Sequence, residues 1–467
     1  MSKFGVLISN RSFFPDHLVL TAREQLLRVL GKWGHDTITL NTFETHMGQT
    51  MTYDEAVKCA KLFRDNRDKI DGIIICLPNF GEEAGIADAI RLSTLDCPIL
   101  IQACDDDFDK LQLENRRDAF CGKLSLCNNL RQYDIKYSLT ARHTCNIESD
   151  EFKADVLHFS RVCDVVKTLR NARVAQIGAR VKPFRTVRYS EKLLQKCGIT
   201  VETEDFSEIL ADIHELKDEA RIQAKVAEIR AYGHILPGIT DDKVARQAKL
   251  CIVIEDWMEA HNCDASAIMC WDSVEANYGC AACLSMSMMG MKGKPSACET
   301  DIMGAISMLA LLKAGGIPPI YQDWNNNYKN EPNKCINVHC SNYPACAFES
   351  KPEIGNLDIL ATTLGTEVSF GALKGRVKPG PMTYLKLSTD DARGIIKCYL
   401  GEGMFTDDPL PTFGGVAVCE VPGLNNLMRH LTRNGYEHHV ALVQAACADI
   451  LQEALGNYMG FEVYRHS

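Results

Sequence analysis

The first hundred residues alternate short apolar runs with longer amphipathic ones, and this rhythm restricts the fold more than any other feature of the chain. Residues 4–9, 36–40, 72–77 and 98–102 have strand length and are bounded by Gly, Pro or Asp, while 18–30, 56–63 and 84–92 carry apolar residues at helical spacing. Strands that alternate with helices in this way imply a parallel sheet covered on both faces. Ligands of such sheets gather at the strands' carboxyl ends, and here those ends carry Asn10 and Arg11, then Asn79, then Asp105 and Asp106.

The pattern restarts after a helical stretch at 150–170, with a strand at 173–177, a helix at 186–196 stopped by Gly198, a strand at 200–203, and polar amphipathic helices near 213–231 and 240–261. From about residue 351 the texture shifts to short segments punctuated by Gly and Pro, at 368–373, 377–381, 383–387 and 416–421, closed by a helix at 443–458. The expected fold class is therefore α/β. Two Rossmann-like parallel-sheet domains, 1–152 and 153–350, precede a mainly β C-terminal domain, 351–467.

A chain of 467 residues exceeds what one core normally supports, in keeping with several domains. A net charge of -10 argues against a nucleic-acid or anionic-membrane partner, which needs a basic face. No run of about 18 apolar residues occurs, so no membrane span is expected. The opening apolar stretch is too short for a signal-peptide core, which predicts a cytoplasmic protein whose 21 cysteines stay reduced. One Cys280-x-x-Cys283 pair has no second CxxC at zinc-ribbon spacing and reads as core.

No Gly-x-Gly-x-x-Gly or Walker loop stands at a strand–helix junction, so nucleotide phosphates are not the target. The informative region is Lys294-Pro-Ser-Ala-Cys-Glu299-Thr-Asp301, followed by Ile302, Ile306, Leu309 and Leu312 at helical spacing and stopped by Gly315-Gly316. Glu299 then lies at a helix amino end, where the dipole keeps a carboxylate ionised; taken alone it reads first as a capping acid, and otherwise as a metal ligand. Asp323 follows an apolar strand, and a further strand, 334–338, delivers His339. Three ligand types at successive element ends point to a metal centre.

The motifs Pro-Ser-Ala-Cys-Glu299-Thr-Asp, Gln-Asp323-Trp, Val-His339-Cys-Ser-Asn342 and Glu-His438-His439-Val-Ala-Leu together resemble the L-fucose/L-arabinose isomerase family. That resemblance extends to Asn10-Arg11-Ser-Phe-Phe-Pro and Leu77-Pro-Asn79-Phe-Gly-Glu82. It implies an aldose–ketose isomerase acting through a cis-enediol(ate), with Glu299, Asp323 and one of two adjacent histidines, His439 in preference to His438, holding Mn²⁺ or another divalent cation such as Co²⁺ or Mg²⁺. Glu299 and Asp323 would double as acid and base. His339 would be a fourth ligand or a direct sugar contact, and His438, Arg11, Asn79, Trp271 and Asn342 would contact the sugar. The family further implies a homo-oligomer, trimer or hexamer, with active sites at subunit interfaces.

The sugar so implied is a neutral deoxyhexose or pentose, or a sulfonated hexose such as sulfoquinovose. Arg180, Lys182, Arg185 and Arg188 read either as a solvated helix start or as the cations that an anionic sugar requires. A metal-dependent sugar lyase or aldolase, which stabilises the same enediolate, is the alternative chemistry, and a non-catalytic sugar-binding protein is the alternative class.

Overall fold

In a computed structural model that describes residues 1–467, the chain forms two compact units. The first comprises Met1–Lys167 together with Glu453–Gly460, and the second comprises Thr168–Gln452 and Phe461–Ser467.

The first unit is built on five parallel strands in the order Asp36–Ile38, Lys3–Ile8, Gly72–Leu77, Ile99–Ala103 and Ser138–Leu139. Side chains alternate across a strand, so Phe4, Val6 and Ile8 pack with Ile74 and Leu100 on one face. Leu7, Ile73, Ile75 and Ile101 pack on the other. Both faces are buried, which explains why these strands read as unbroken apolar runs. The helix Tyr53–Asp65 starts at a capping box formed by Thr52 and Glu55. The late segment Glu453–Gly460 belongs here too: the Tyr458 hydroxyl lies 2.7 Å from Ser138 Oγ and donates to the Ile99 carbonyl at 3.2 Å.

The second unit holds two sheets. Four parallel strands, in the order Ser296–Ala297, Ala265–Ile268, Arg173–Ile177 and Thr200–Glu204, repeat the α/β pattern. A mixed eleven-stranded sheet is centred on the antiparallel pair Gly380–Asp390 and Ile395–Phe405. The α/β class with a strand-rich C-terminal region is as expected. No helix is long and apolar enough to cross a membrane.

Two local expectations are corrected. The two strands expected at 377–381 and 383–387 are one strand, Gly380–Asp390, because its partner Ile395–Phe405, absent from the sequence reading, pairs along its full length. The helix expected at 443–458 begins only at Ala448, since Val443 ends a buried strand, His439–Val443, that pairs with residues 383–385. That strand also runs antiparallel to Ile320–Asp323 with Asp323 opposite His439, and this register builds the site.

Candidate active site

Glu299 lies in the tight turn that joins the strand Ser296–Ala297 to the helix Ile302–Gly315. Glu299 and Thr300 both adopt left-handed backbone, φ 54° and 53°. For residues with a Cβ this costs roughly 1–2 kcal/mol each, so the surroundings must impose it. The Thr300 amide donates to the Ile268 carbonyl at 3.2 Å, and the Asp301 amide to the Cys298 carbonyl at 3.0 Å. The expectation that Glu299 sits at the helix terminus and is kept ionised by the dipole is thereby corrected. Asp301 is the cap, accepting the Gly304 amide at 2.8 Å, and the strained turn sends Glu299 into a buried cavity instead. Burial pushes Glu299 up to about 7, although His339 and His439 pull the other way.

The strand register brings Asp323 and His439 together, and the strand Lys334–His339 delivers His339 to the same point. His439 Nε2 lies 3.6 Å from Glu299 Oε2 and 3.6 Å from Asp323 Oδ1, and these two carboxylate oxygens are buried with no hydrogen-bond partner. His339 Nε2 is 3.8 Å from the same Glu299 oxygen. Two orphaned anionic oxygens around shared imidazole nitrogens are costly to bury unless a cation joins them, so this donor set fits a divalent metal. Asp323, His339 and His439 form one group able to hold an ion.

Residues around the cluster fix its geometry. His439 Nδ1 donates to Asp301 Oδ2 at 2.9 Å. The same carboxylate accepts the Lys386 ammonium at 2.5 Å and the Tyr321 hydroxyl. Burial would raise Asp301, but Lys386 and His439 outweigh it and hold the carboxyl well below the ordinary range. Close approach of the helix to Tyr321 requires Gly304, where a Cβ would stand 2.1 Å from the hydroxyl. Trp271 Nε1 donates to Glu299 Oε1 at 3.1 Å. Phe184 packs against Trp271, His438 and His439 with ring centroids 4.8, 5.6 and 5.9 Å away.

His438 stands further out, 3.9 Å from Asp323 Oδ1, and its pKa is lowered by burial and by His439. Asn342 is buried and donates to the Ser296 carbonyl at 2.6 Å, which braces the strand before the Glu299 turn. Arg11 and Asn79 belong to the first unit, where the Arg11 amide donates to Asn79 Oδ1 at 3.3 Å and the guanidinium pairs with Glu83. Sequence reasoning missed Asp301 as the partner of His439, along with Lys386, Tyr321 and Phe184. It also missed two thiols beside His339: Cys298 Sγ lies 3.8 Å and Cys340 Sγ 3.3 Å from His339 Nδ1. Asp301, Cys298 and Cys340 stand inside motifs already quoted, but nothing local gives them these partners, and the other residues are brought in from separate segments by the fold.

Glu299, Asp323, His339, His439, Phe184 and Trp271 line a cavity of about 600 Å³, a size that suits a small-molecule substrate. Residues 5–170 match the family model described as the N-terminal domain of fucose/sulfoquinovose isomerase, and residues 337–467 match the C-terminal domain of L-fucose isomerase. A sulfoquinovose isomerase of Priestia aryabhattai is 25% identical over 354 residues, 74% of this chain and 75% of the relative. One from Alkalicoccus urumqiensis is 26% identical over 303 residues, 63% of this chain and 65% of its own length. The two domain models and the relatives are all of aldose–ketose isomerases, and the chain is an enzyme of that class. More particularly, it belongs to the fucose isomerase family.

Proposed function

We propose that the chain interconverts a sulfonated aldohexose, sulfoquinovose, and its 2-ketose, using Mn²⁺ held by Glu299, Asp323 and His439. The observation that carries the metal assignment is the pair of buried, partnerless oxygens, Glu299 Oε2 and Asp323 Oδ1, each 3.6 Å from one imidazole nitrogen. The names of the relatives support the sulfonated sugar. Divalent manganese, when bound, supplies charge stabilisation to the two sugar oxygens between which the carbonyl moves.

The chain's own residues do the rest. Glu299 and Asp323 carry the proton between C2 and C1 through a cis-enediol(ate), as general acid and base. Asp301 fixes the ring of His439, and the Trp271 N–H restrains Glu299 Oε1. Phe184 and Trp271 limit water at the reacting carbons, while His339, which lines the cavity, and His438, packed on Phe184, bond sugar hydroxyls. We assign the protein to a reducing, cytoplasmic setting, which suits 21 thiols with no disulfide among them, and to a closed homo-oligomer. The test is to strip metal with a chelator, then assay sulfoquinovose and neutral aldoses before and after adding Mn²⁺. Ketose formation that requires Mn²⁺ and favours sulfoquinovose is the expected result; full activity without metal, or turnover of neutral sugars alone, would contradict it.

A further inference from the structure

A sulfonate is ionised at every physiological pH, so a site that takes a sulfonated sugar must offer cationic donors to the group it strips of water. The cavity that holds Glu299, Asp323 and His439 is lined by no lysine or arginine. A second cavity, of about 560 Å³, is lined by Arg180, Arg185 and Arg188.

Three residues that line this second cavity are chain neighbours of residues at the reaction site. Thr300, which lines it, directly follows Glu299 in the strained turn. Glu437, which also lines it, directly precedes His438. Arg185 follows Phe184, whose ring packs on Trp271, His438 and His439, so one loop presents its aromatic side chain to His439 while the next residue lines the second cavity.

The three guanidinium groups take no carboxylate partner. Arg180 Nη1 donates to the carbonyls of Val181 and Lys182, and Arg188 Nε to that of Arg185, which leaves most of their fork of donors free. Two acids share the cavity. Asp391 is exposed, and Glu437 is buried and accepts the Ser388 hydroxyl at 2.7 Å. Neither forms an ion pair with the three arginines.

We propose that Arg180, Arg185 and Arg188 form the subsite for the anionic C6 group of the sugar, a sulfonate, while C1 and C2 lie at Glu299 and Asp323. This assignment rests on the sulfonated-sugar reading above. Arginine suits the role because its planar fork bonds tetrahedral oxyanions in bidentate fashion. A sugar phosphate ester presents similar oxygens, and a neutral 6-deoxy sugar presents none.

The experiment compares the Mn²⁺-loaded wild type with the double variant Arg185→Gln/Arg188→Gln on sulfoquinovose, glucose 6-phosphate and the neutral 6-deoxy aldose quinovose, with inorganic sulfate as a competing anion. Loss of charged hydrogen bonds is expected to raise KM for sulfoquinovose about ten- to a hundredfold while kcat changes little, and to weaken sulfate inhibition in parallel. Arg185→Lys should retain part of the affinity. If the wild type converts sulfoquinovose and the double variant, folded by its thermal midpoint, does so with unchanged KM and sulfate inhibition, the subsite is wrong and the substrate reading stands. If the wild type converts quinovose or glucose 6-phosphate but never sulfoquinovose, the substrate reading fails and the sulfonate assignment falls with it.

Discussion

His439 donates its Nδ1 proton to Asp301 at 2.9 Å, and this contact determines which ring nitrogen meets the carboxylates of the site. Asp301 stays ionised because Lys386, itself wholly buried, sits 2.5 Å away. With Nδ1 so engaged, Nε2 is the ring nitrogen that faces Glu299 and Asp323, the orientation a metal ligand requires.

Removing that orientation has two separable effects. Asp301→Asn is expected to lower kcat and Mn²⁺ affinity about 10- to 100-fold through loss of the outer carboxylate. It also strands the Lys386 ammonium in the interior, at a cost of about 3–5 kcal/mol. The double variant Asp301→Asn/Lys386→Met should recover much of that stability in chemical denaturation, yet none of the activity.

Metal binding should stabilise the fold through the ligands alone. At Mn²⁺ one hundred times its Kd, linkage gives about 2.7 kcal/mol, read as a higher thermal midpoint. Glu299→Gln and Asp323→Asn should fold normally but lose this metal-dependent rise, and Glu299→Gln should lose about 10²- to 10⁴-fold in turnover. A rise that persists in both variants would place the ion elsewhere.

Glu275, wholly buried in the short helix Ser273–Tyr278 with both carboxylate oxygens partnerless, makes stability depend on pH. Burial, aided by Asp272 and Cys340, raises it from 4.5 to about 8. The folded-state pKa exceeds the unfolded one, so its contribution is complete below about pH 4.5 and is lost as pH rises through 8. Denaturation midpoints of metal-free protein at pH 5, 7 and 9 should fall along that series by a few kcal/mol in all. Glu275→Gln should flatten the fall and be the more stable protein at pH 9.

Gly304 offers a test by sign. An alanine inside an unconstrained helix stabilises by about 1 kcal/mol relative to glycine. Here the added Cβ would stand 2.1 Å from the Tyr321 hydroxyl, so Gly304→Ala is expected to destabilise by about 1–3 kcal/mol and to displace the hydroxyl from Asp301. Equal or higher stability in this variant would show that the helix and Tyr321 are not in close contact.

Much of this was legible in the sequence where periodicity or an element end carries the signal. The strands Lys3–Ile8, Gly72–Leu77 and Ile99–Ala103 announce themselves because burial on both faces demands unbroken apolar runs. Asp323 and His339 stand out as polar residues ending apolar strands. Lys386 did not, because a lysine within an alternating strand looks like its solvent face, and only the assembled sheet shows it pointing at Asp301. Glu299 is only half legible: an acid just before a helix suggests a cap, and nothing local reveals two successive left-handed residues turning it inward. Phe184 sits in an irregular loop with no periodicity to read, so its contact with both histidines depends wholly on tertiary structure.

Proton transfer between neighbouring sugar carbons at a carboxylate-rich metal centre is the central claim, and isotope exchange reads it most directly. Mn²⁺-loaded protein is incubated with sulfoquinovose in D₂O and the products are followed by NMR and mass spectrometry. The expected result is ketose accumulating while deuterium enters C2 of the remaining aldose, both lost in Glu299→Gln. Ketose formed at an undiminished rate by Glu299→Gln, or neither ketose nor C2 deuterium from the loaded wild type with any aldose tried, would contradict it.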